Sequence, residues 1–290
     1  MAYSNIMIRI GETDKIERQF NEGYLRFGCP ANWINYAEKY PDSGTADRFE
    51  AVFAHVKKDD PRIIELGGGD PFNQFFGFWN EEGPDDTVYL RNVAACLVPA
   101  ICFFSIDLKD AVEHFKIKGN STDYINVNLL PFYRAMIDDP KKYDQYSALI
   151  FTDPGGLLTD LKREVPKLVS GKIYLVKRNF NPDEPIYSDY VDYDLNIEEA
   201  FWNKQTYDAV YRKQPTYREQ HEVRIIIPHV TYMRHPSVEP YLTEHHEMDV
   251  PVPNIKDYAM VIPVSKFNGI RFVNFTEDLS ECVVLFFLAK

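Results

Sequence analysis

The stretch Pro215-Thr216-Tyr217-Arg218-Glu219-Gln220-His221-Glu222-Val223-Arg224-Ile225-Ile226-Ile227-Pro228 runs a charged cluster straight into a β-branched apolar segment. A short β-branched run closed by proline fits a buried strand, here Val223 to Ile227, better than a helix. Extended backwards, the alternation of a strand puts Gln220, Glu222 and Arg224 on one face and Glu219, His221 and Val223 on the other. One face then carries an amide, a carboxylate and a guanidinium in a row, with Gln220 and Glu222 about 7 Å apart along the backbone.

Upstream of this stretch the chain opens as strand, helix, strand and aromatic segment. Ile6 to Ile10 reads as a strand interrupted by Arg9, and Thr13 to Gly23 as a short helix with Ile16 and Phe20 at i,i+4 and a terminal glycine. Tyr24 to Gly28 returns as a strand, and Pro30 to Tyr40 is a helix or aromatic loop carrying Trp33, Tyr36 and Tyr40. Further strands are expected at Ala51 to Val56, Arg62 to Leu66, Ala100 to Ser105, Ala148 to Thr152 and Lys172 to Val176, and helices over 157–169 and 197–213. Beyond Pro228 come a His-rich turn and strands at Ala259 to Pro263 and Cys282 to Leu288. The glycines after Leu66 match neither GxGxxG nor GxxxxGK[ST], so a tight hairpin is favoured over a phosphate loop. No repeat and no linker interrupts the pattern. The expected architecture is one α+β domain over 1–290, with mostly antiparallel sheets and short flanking helices.

The formal charge of -12, from 44 acidic and 32 basic residues, argues against wide nonspecific binding to nucleic acid and leaves room for a local basic groove. Four cysteines without CxxC spacing and an N-terminus lacking a basic-then-apolar pattern favour a cytoplasmic setting. No apolar run reaches the ~18 residues of a membrane span.

Several residue sets could carry chemistry. Glu222 could bond a ribose hydroxyl and stabilise an oxocarbenium-like centre, with Gln220 orienting the attacking group; an ion pair of Glu222 with Arg224 is the plainer alternative. Arg9 could hold a phosphate bidentately. Trp33, Tyr36 and Tyr40 could stack on a nicotinamide or adenine ring, although such spacing usually serves a core. Asp47, Arg48 and Glu50, in the polar loop from Thr45, could contact ribose or substrate. His229, His235, His245, His246, Glu247 and Asp249 have metal-ligand chemistry without HExxH or HxH spacing, and a solvated loop is favoured over a metal site.

The segments Phe20 to Pro30, Asp47 to Glu50, Ile101 to Ser105 and Tyr217 to Ile225 resemble an uncharacterised bacterial family with a Glu-x-Glu-x-Arg strand. The same outline is similar to the ADP-ribosyltransferase superfamily, which combines an Arg or His on its first strand, a Ser or Tyr on its second and a late Glu. Gln220-His221-Glu222 matches the Gln-x-Glu of its arginine-type branch, and Arg9 would be the first-strand arginine. Phe27-Gly28-Cys29 departs from the expected Ser-Thr-Ser, with Tyr36 as the candidate substitute. The resemblance implies an ADP-ribosyltransferase-like fold and NAD as substrate, with Glu222 stabilising the ribosyl cation and Gln220 aligning the acceptor. Arg9, Trp33, Tyr36 and Asp47 would bind the NAD. It also implies a cytoplasmic bacterial toxin of a toxin–antitoxin or anti-phage system, modifying protein or RNA and held by an antitoxin or chaperone. The alternatives are a metal-dependent nuclease and a non-enzymatic protein-binding module.

Overall fold

The computed structural model describes residues 6–41, 47–65, 78–106, 114–116, 123–126, 140–169, 175–176, 181–192, 201–202, 207–228, 230–231, 246–269, 271–274 and 282–283. Its centre is a six-stranded sheet in the order Tyr187–Tyr190, Glu222–Ile226, Ala100–Ile106, Ile6–Glu12, Tyr146–Phe151, Ala259–Pro263, antiparallel at every step. The β-branched run of the opening stretch is the second strand from one edge, with Glu222 opposite Phe104 and Arg224 opposite Cys102. A four-stranded antiparallel sheet is built from Phe201–Trp202, Val52–Lys57, Thr87–Asn92 and Phe78–Glu82, and Tyr24–Phe27 pairs with Met248–Pro251. The chain is therefore α+β, with mostly antiparallel sheets and short helices.

The first strand is shared unequally by its neighbours. It pairs with Tyr146–Phe151 from Met7 to Glu12, but with Ala100–Ile106 only through Ile6, Met7 and Ile8. From Arg9 onwards the two strands part, and Ala100 exchanges both backbone hydrogen bonds with Gly28 instead, at 2.8 and 2.9 Å. A wedge thus opens inside the main sheet, bounded by Arg9, Ile10 and residues 100–103 and 24–28.

Two helices frame the wedge. Thr13–Glu22 buries Ile16, packs Phe20 against the core and ends at Gly23, whose φ of 71° lets its N–H donate to the Gln19 carbonyl. Pro30–Lys39 starts on a proline, which suits the first helical turn, and buries Ala31, Ile34 and Ala37 along one side. Trp33, Tyr36 and Tyr40 fall at the same helical spacing on the other side. The long helix Pro154–Val169 covers the core with Leu157, Leu161 and Val165.

Three expectations from the sequence are corrected. Arg62 to Leu66 is not a strand: Pro61–Glu65 is a short helix, because Asp60 accepts from the Arg62 N–H and Pro61 favours a helical first turn. The segment 197–213 does not form one helix, since its described parts are the strand Phe201–Trp202 and a 3₁₀ turn at Asp208–Tyr211. Gln220 is not on the strand with Glu222. It ends the 3₁₀ turn Pro215–Gln220, and His221, at φ 41°, swings the chain into the strand at Glu222. The glycines at 67–69, most of the His-rich segment and residues 284–288 lie outside the described residues. Among the described residues no helix is long and apolar enough to cross a membrane.

Candidate active site

The wedge opens into a cavity of about 1120 Å³ lined by Arg9, Trp33, Tyr36, Gln220 and Glu222 among others. Its floor holds four buried charges, Glu50, Lys213, Glu222 and Arg224. Arg224 donates through both terminal nitrogens to Glu50, each contact 2.7 Å, and through Nε to Glu222 Oε1 at 2.5 Å. A terminal nitrogen of Arg224 also donates to the Val210 carbonyl, and the guanidinium lies 4.8 Å from the centre of the Trp33 ring. Lys213 donates to Glu222 Oε2 at 2.7 Å and to Gln220 Oε1 at 2.8 Å, with Glu50 at 3.7 Å. An ammonium only donates, so the Gln220 atom it meets is the oxygen.

Two cations and two carboxylates balance, which is what makes the burial tolerable. Burial opposes ionisation of Glu222, but Arg224 and Lys213, together with a hydrogen bond from the Cys102 thiol, hold its carboxyl down at about 2. Glu50 moves the other way: burial outweighs the attraction of Arg224 and Lys213, with Glu222 adding repulsion, and its carboxyl is raised. Burial and the adjacent Glu222 push the Cys102 thiol well up, so it is a neutral donor here. Each carboxylate also adjoins a left-handed non-glycine residue, Ala51 at φ 58° after Glu50 and His221 at φ 41° before Glu222. Such backbone is costly for residues with a Cβ and concentrates where geometry is imposed by the surroundings. At His221 the imposition is visible, because its carbonyl accepts from both the N–H and the hydroxyl of Ser105, at 2.9 and 2.7 Å.

Arg9 stands apart from this network. Among the described residues no carboxylate or carbonyl bonds its guanidinium. Desolvation lowers its pKa, and the charges that act on it, Glu247 and Arg26, line the same cavity. A desolvated guanidinium beside a solvent-filled cleft is suited to an anion arriving from outside. Arg26, by contrast, is committed to Asp249 through bonds of 2.7 and 2.8 Å and to Glu247 at 3.2 Å.

The structure brings five of the six sequence candidates to one place. Gln220, Glu222, Arg9, Trp33 and Tyr36 line the cavity, and Trp33 is already engaged by Arg224 on its ring. Asp47 does not join them. It is wholly buried, accepting from the Phe49 N–H at 2.9 Å and from the Gln214 side-chain amide at 2.8 Å and backbone N–H at 3.3 Å. It fastens the turn that carries Glu50 to the segment that carries Lys213. Arg48 is exposed and pairs with Glu81. Of the His-rich segment, His246 is described, and its backbone is bonded to Asn32; His229, His235 and His245 lie outside the described residues. Among the described residues no His, Cys, Asp and Glu gather as metal ligands.

Lys213 is the residue that sequence reasoning missed. Its one readable signal is a cation two positions ahead of the Pro215 turn, with no acidic neighbour within three residues on either side. Comparison of the chain with protein-family models, with curated proteins and with solved structures found no match to any of them.

Proposed function

We propose that the cleft binds NAD and that the protein transfers ADP-ribose from it to an acceptor. The observation that carries this reading is that Gln220 and Glu222 line the same cavity as Arg9, more than 200 residues earlier in the chain. The cavity is roomy for a dinucleotide, since pockets for smaller ligands span about 300–1,000 Å³. Arg9 supplies, for the pyrophosphate, a guanidinium that no carboxylate among the described residues bonds, and the aromatic side of Pro30–Lys39 supplies ring surfaces.

In the reaction an acceptor group bearing a hydrogen attacks C1′ of the nicotinamide ribose. The C1′–N bond breaks with its electron pair leaving on nicotinamide, and the acceptor's proton passes to solvent. Glu222 remains ionised throughout the neutral range and its negative charge faces the positive charge that develops on the ribose. Arg224 and Lys213 each donate to one of its two oxygens and hold the carboxylate at the floor of the cavity. Lys213 fixes Gln220 and Glu222 relative to one another.

The test is incubation of the folded protein with labelled NAD and a bacterial lysate. Transfer of label or release of nicotinamide, lost in Glu222→Gln, is the expected result; neither event with wild-type protein would sink the reading. The same variant tests the toxin role, since wild-type expression should arrest growth and the variant should not. A non-enzymatic binding module is favoured by one feature, the engagement of both Glu222 oxygens by cations, and it requires Glu222→Gln to leave the cellular effect intact.

A further inference from the structure

We infer that the mouth of the cleft binds single-stranded nucleic acid, and that this strand is the acceptor; the acceptor role rests on the transferase reading above. Tyr36 and Tyr40 are each 46% exposed, with ring centroids 4.9 Å apart on one side of the Pro30–Lys39 helix. Only four large apolar side chains among the described residues are exposed, and these two line the cavity together. Bases without partners stack on exposed aromatic rings of this kind irrespective of sequence.

Charge around the rings has the sign that a phosphate backbone requires. Seven Lys or Arg side chains and three Glu line the cavity, in a chain whose net charge is -12. The buried quartet is neutral, and on the rim Lys15, Arg18 and Arg26 are paired with Glu12, Glu22 and Asp249, which leaves Arg9 inside the cleft and Lys39, 5.3 Å from the Tyr40 ring, with no acidic side chain among the described residues bonded to either. Two cations that no carboxylate bonds, set at one aromatic cleft of an acidic protein, are attachment points for the phosphates of a polyanion.

The floor argues against a cationic acceptor from a protein. Lys213 contacts both Gln220 and Glu222, so an arginine or lysine side chain approaching those residues meets an ammonium within hydrogen-bonding distance of each. A nucleobase brings exocyclic amino groups, uncharged and bearing the hydrogen that is released as a proton to solvent when the nitrogen bonds C1′.

Fluorescence anisotropy of labelled oligonucleotides of about 12 residues tests the inference, with nicotinamide release followed in the same samples. Single-stranded RNA or DNA should bind more tightly than the duplex, and affinity should fall between about 50 mM and 200 mM salt. Tyr36→Ala and Tyr40→Ala should each weaken binding about tenfold, while Tyr36→Phe and Tyr40→Phe, which keep the ring, retain it. Tyr187→Ala, on the edge strand beside Glu222–Ile226 and outside the cavity lining, should change nothing. Absence of single-strand binding at the lower salt, or affinity indifferent to both alanine variants, overturns the inference. So does label on arginine side chains of protein in place of the oligonucleotide. Ring-dependent binding without nicotinamide release keeps the binding site and removes the transferase; release without oligonucleotide binding does the reverse.

Discussion

Arg224 and Glu50 meet in a two-bonded ion pair across 174 positions of sequence, each bond 2.7 Å, with the guanidinium wholly buried. The pair joins the turn after Asp47 to the strand that carries Glu222. Removing one member of a buried pair leaves the other charge without compensation. Arg224→Met should therefore lower unfolding free energy by about 3–5 kcal/mol, read as a reduced urea midpoint at an unchanged slope. Adding Glu50→Gln to that variant should recover part of the loss, because it removes the orphaned charge, and a strictly additive double variant would contradict the coupling.

Arg9 should behave in the opposite way. No carboxylate among the described residues bonds its guanidinium, and desolvation outweighs the attraction of Glu247. Arg9→Gln should leave the melting temperature unchanged or slightly raised, while NAD affinity, measured by calorimetry, falls at least tenfold, the value of about 1.5–3 kcal/mol for a hydrogen bond to a charged group. A destabilised variant with intact affinity would mean that Arg9 serves the fold.

Asp47→Ala should be a stability variant. It deprives the Phe49 N–H and the Gln214 amide of their acceptor, a loss of about 1–3 kcal/mol for buried donors left unsatisfied. In thermal melts the transition should drop, and binding of NAD at temperatures well below it should be close to wild type. A loss of affinity with an unaltered melt would return Asp47 to the ligand site.

Acid should expose the two carboxylates separately. The Glu222 value of about 2 lies below its unfolded value of about 4.3. Glu222 therefore contributes stability that is complete above about pH 4.3 and disappears as pH falls towards 2. Glu50 is raised, so it burdens the fold at neutral pH and is relieved as it takes up a proton on acidification, ahead of Glu222. Unfolding free energy from urea titrations in this window should fall less steeply for Glu222→Gln than for wild type. Glu50→Gln should fall more steeply, and equal slopes in all three would refute the assignment.

The Glu222 strand was legible because a β-branched run before a proline has few other uses, and the α+β class followed from several such runs. The position of Gln220 was not, since a single left-handed residue at His221 resets the alternation on which the face assignment depended, and histidine, although enriched at positive φ, adopts it in too few cases to announce such a turn. The Pro61–Glu65 helix was readable in principle from Asp60 followed by Pro61, a cap and a first-turn residue, but the apolar pair Ile63-Ile64 suggested a strand. Lys213 was beyond reach because its counter-ions come from Glu50 and Glu222, and nothing local records a tertiary pairing. Tyr36 was visible as an aromatic candidate, whereas its exposure depends on which side of the helix the core claims.

The parting of the first strand from Ala100–Ile106 after Ile8 leaves two strands, each laddered on its outer flank, facing one another across an interval that no ladder bridges. A molecule lodged there touches both halves of the main sheet at once and does the work of a missing rung. Occupancy and cooperativity then become a single quantity: a ligand at a hundred times its dissociation constant adds about 2.7 kcal/mol to the unfolding free energy. Amide protons on Ile10 and Cys102, on either side of the interval, would exchange with solvent on the ligand's schedule, making the empty protein two half-sheets hinged at residues 6–8 and the filled one a continuous plate.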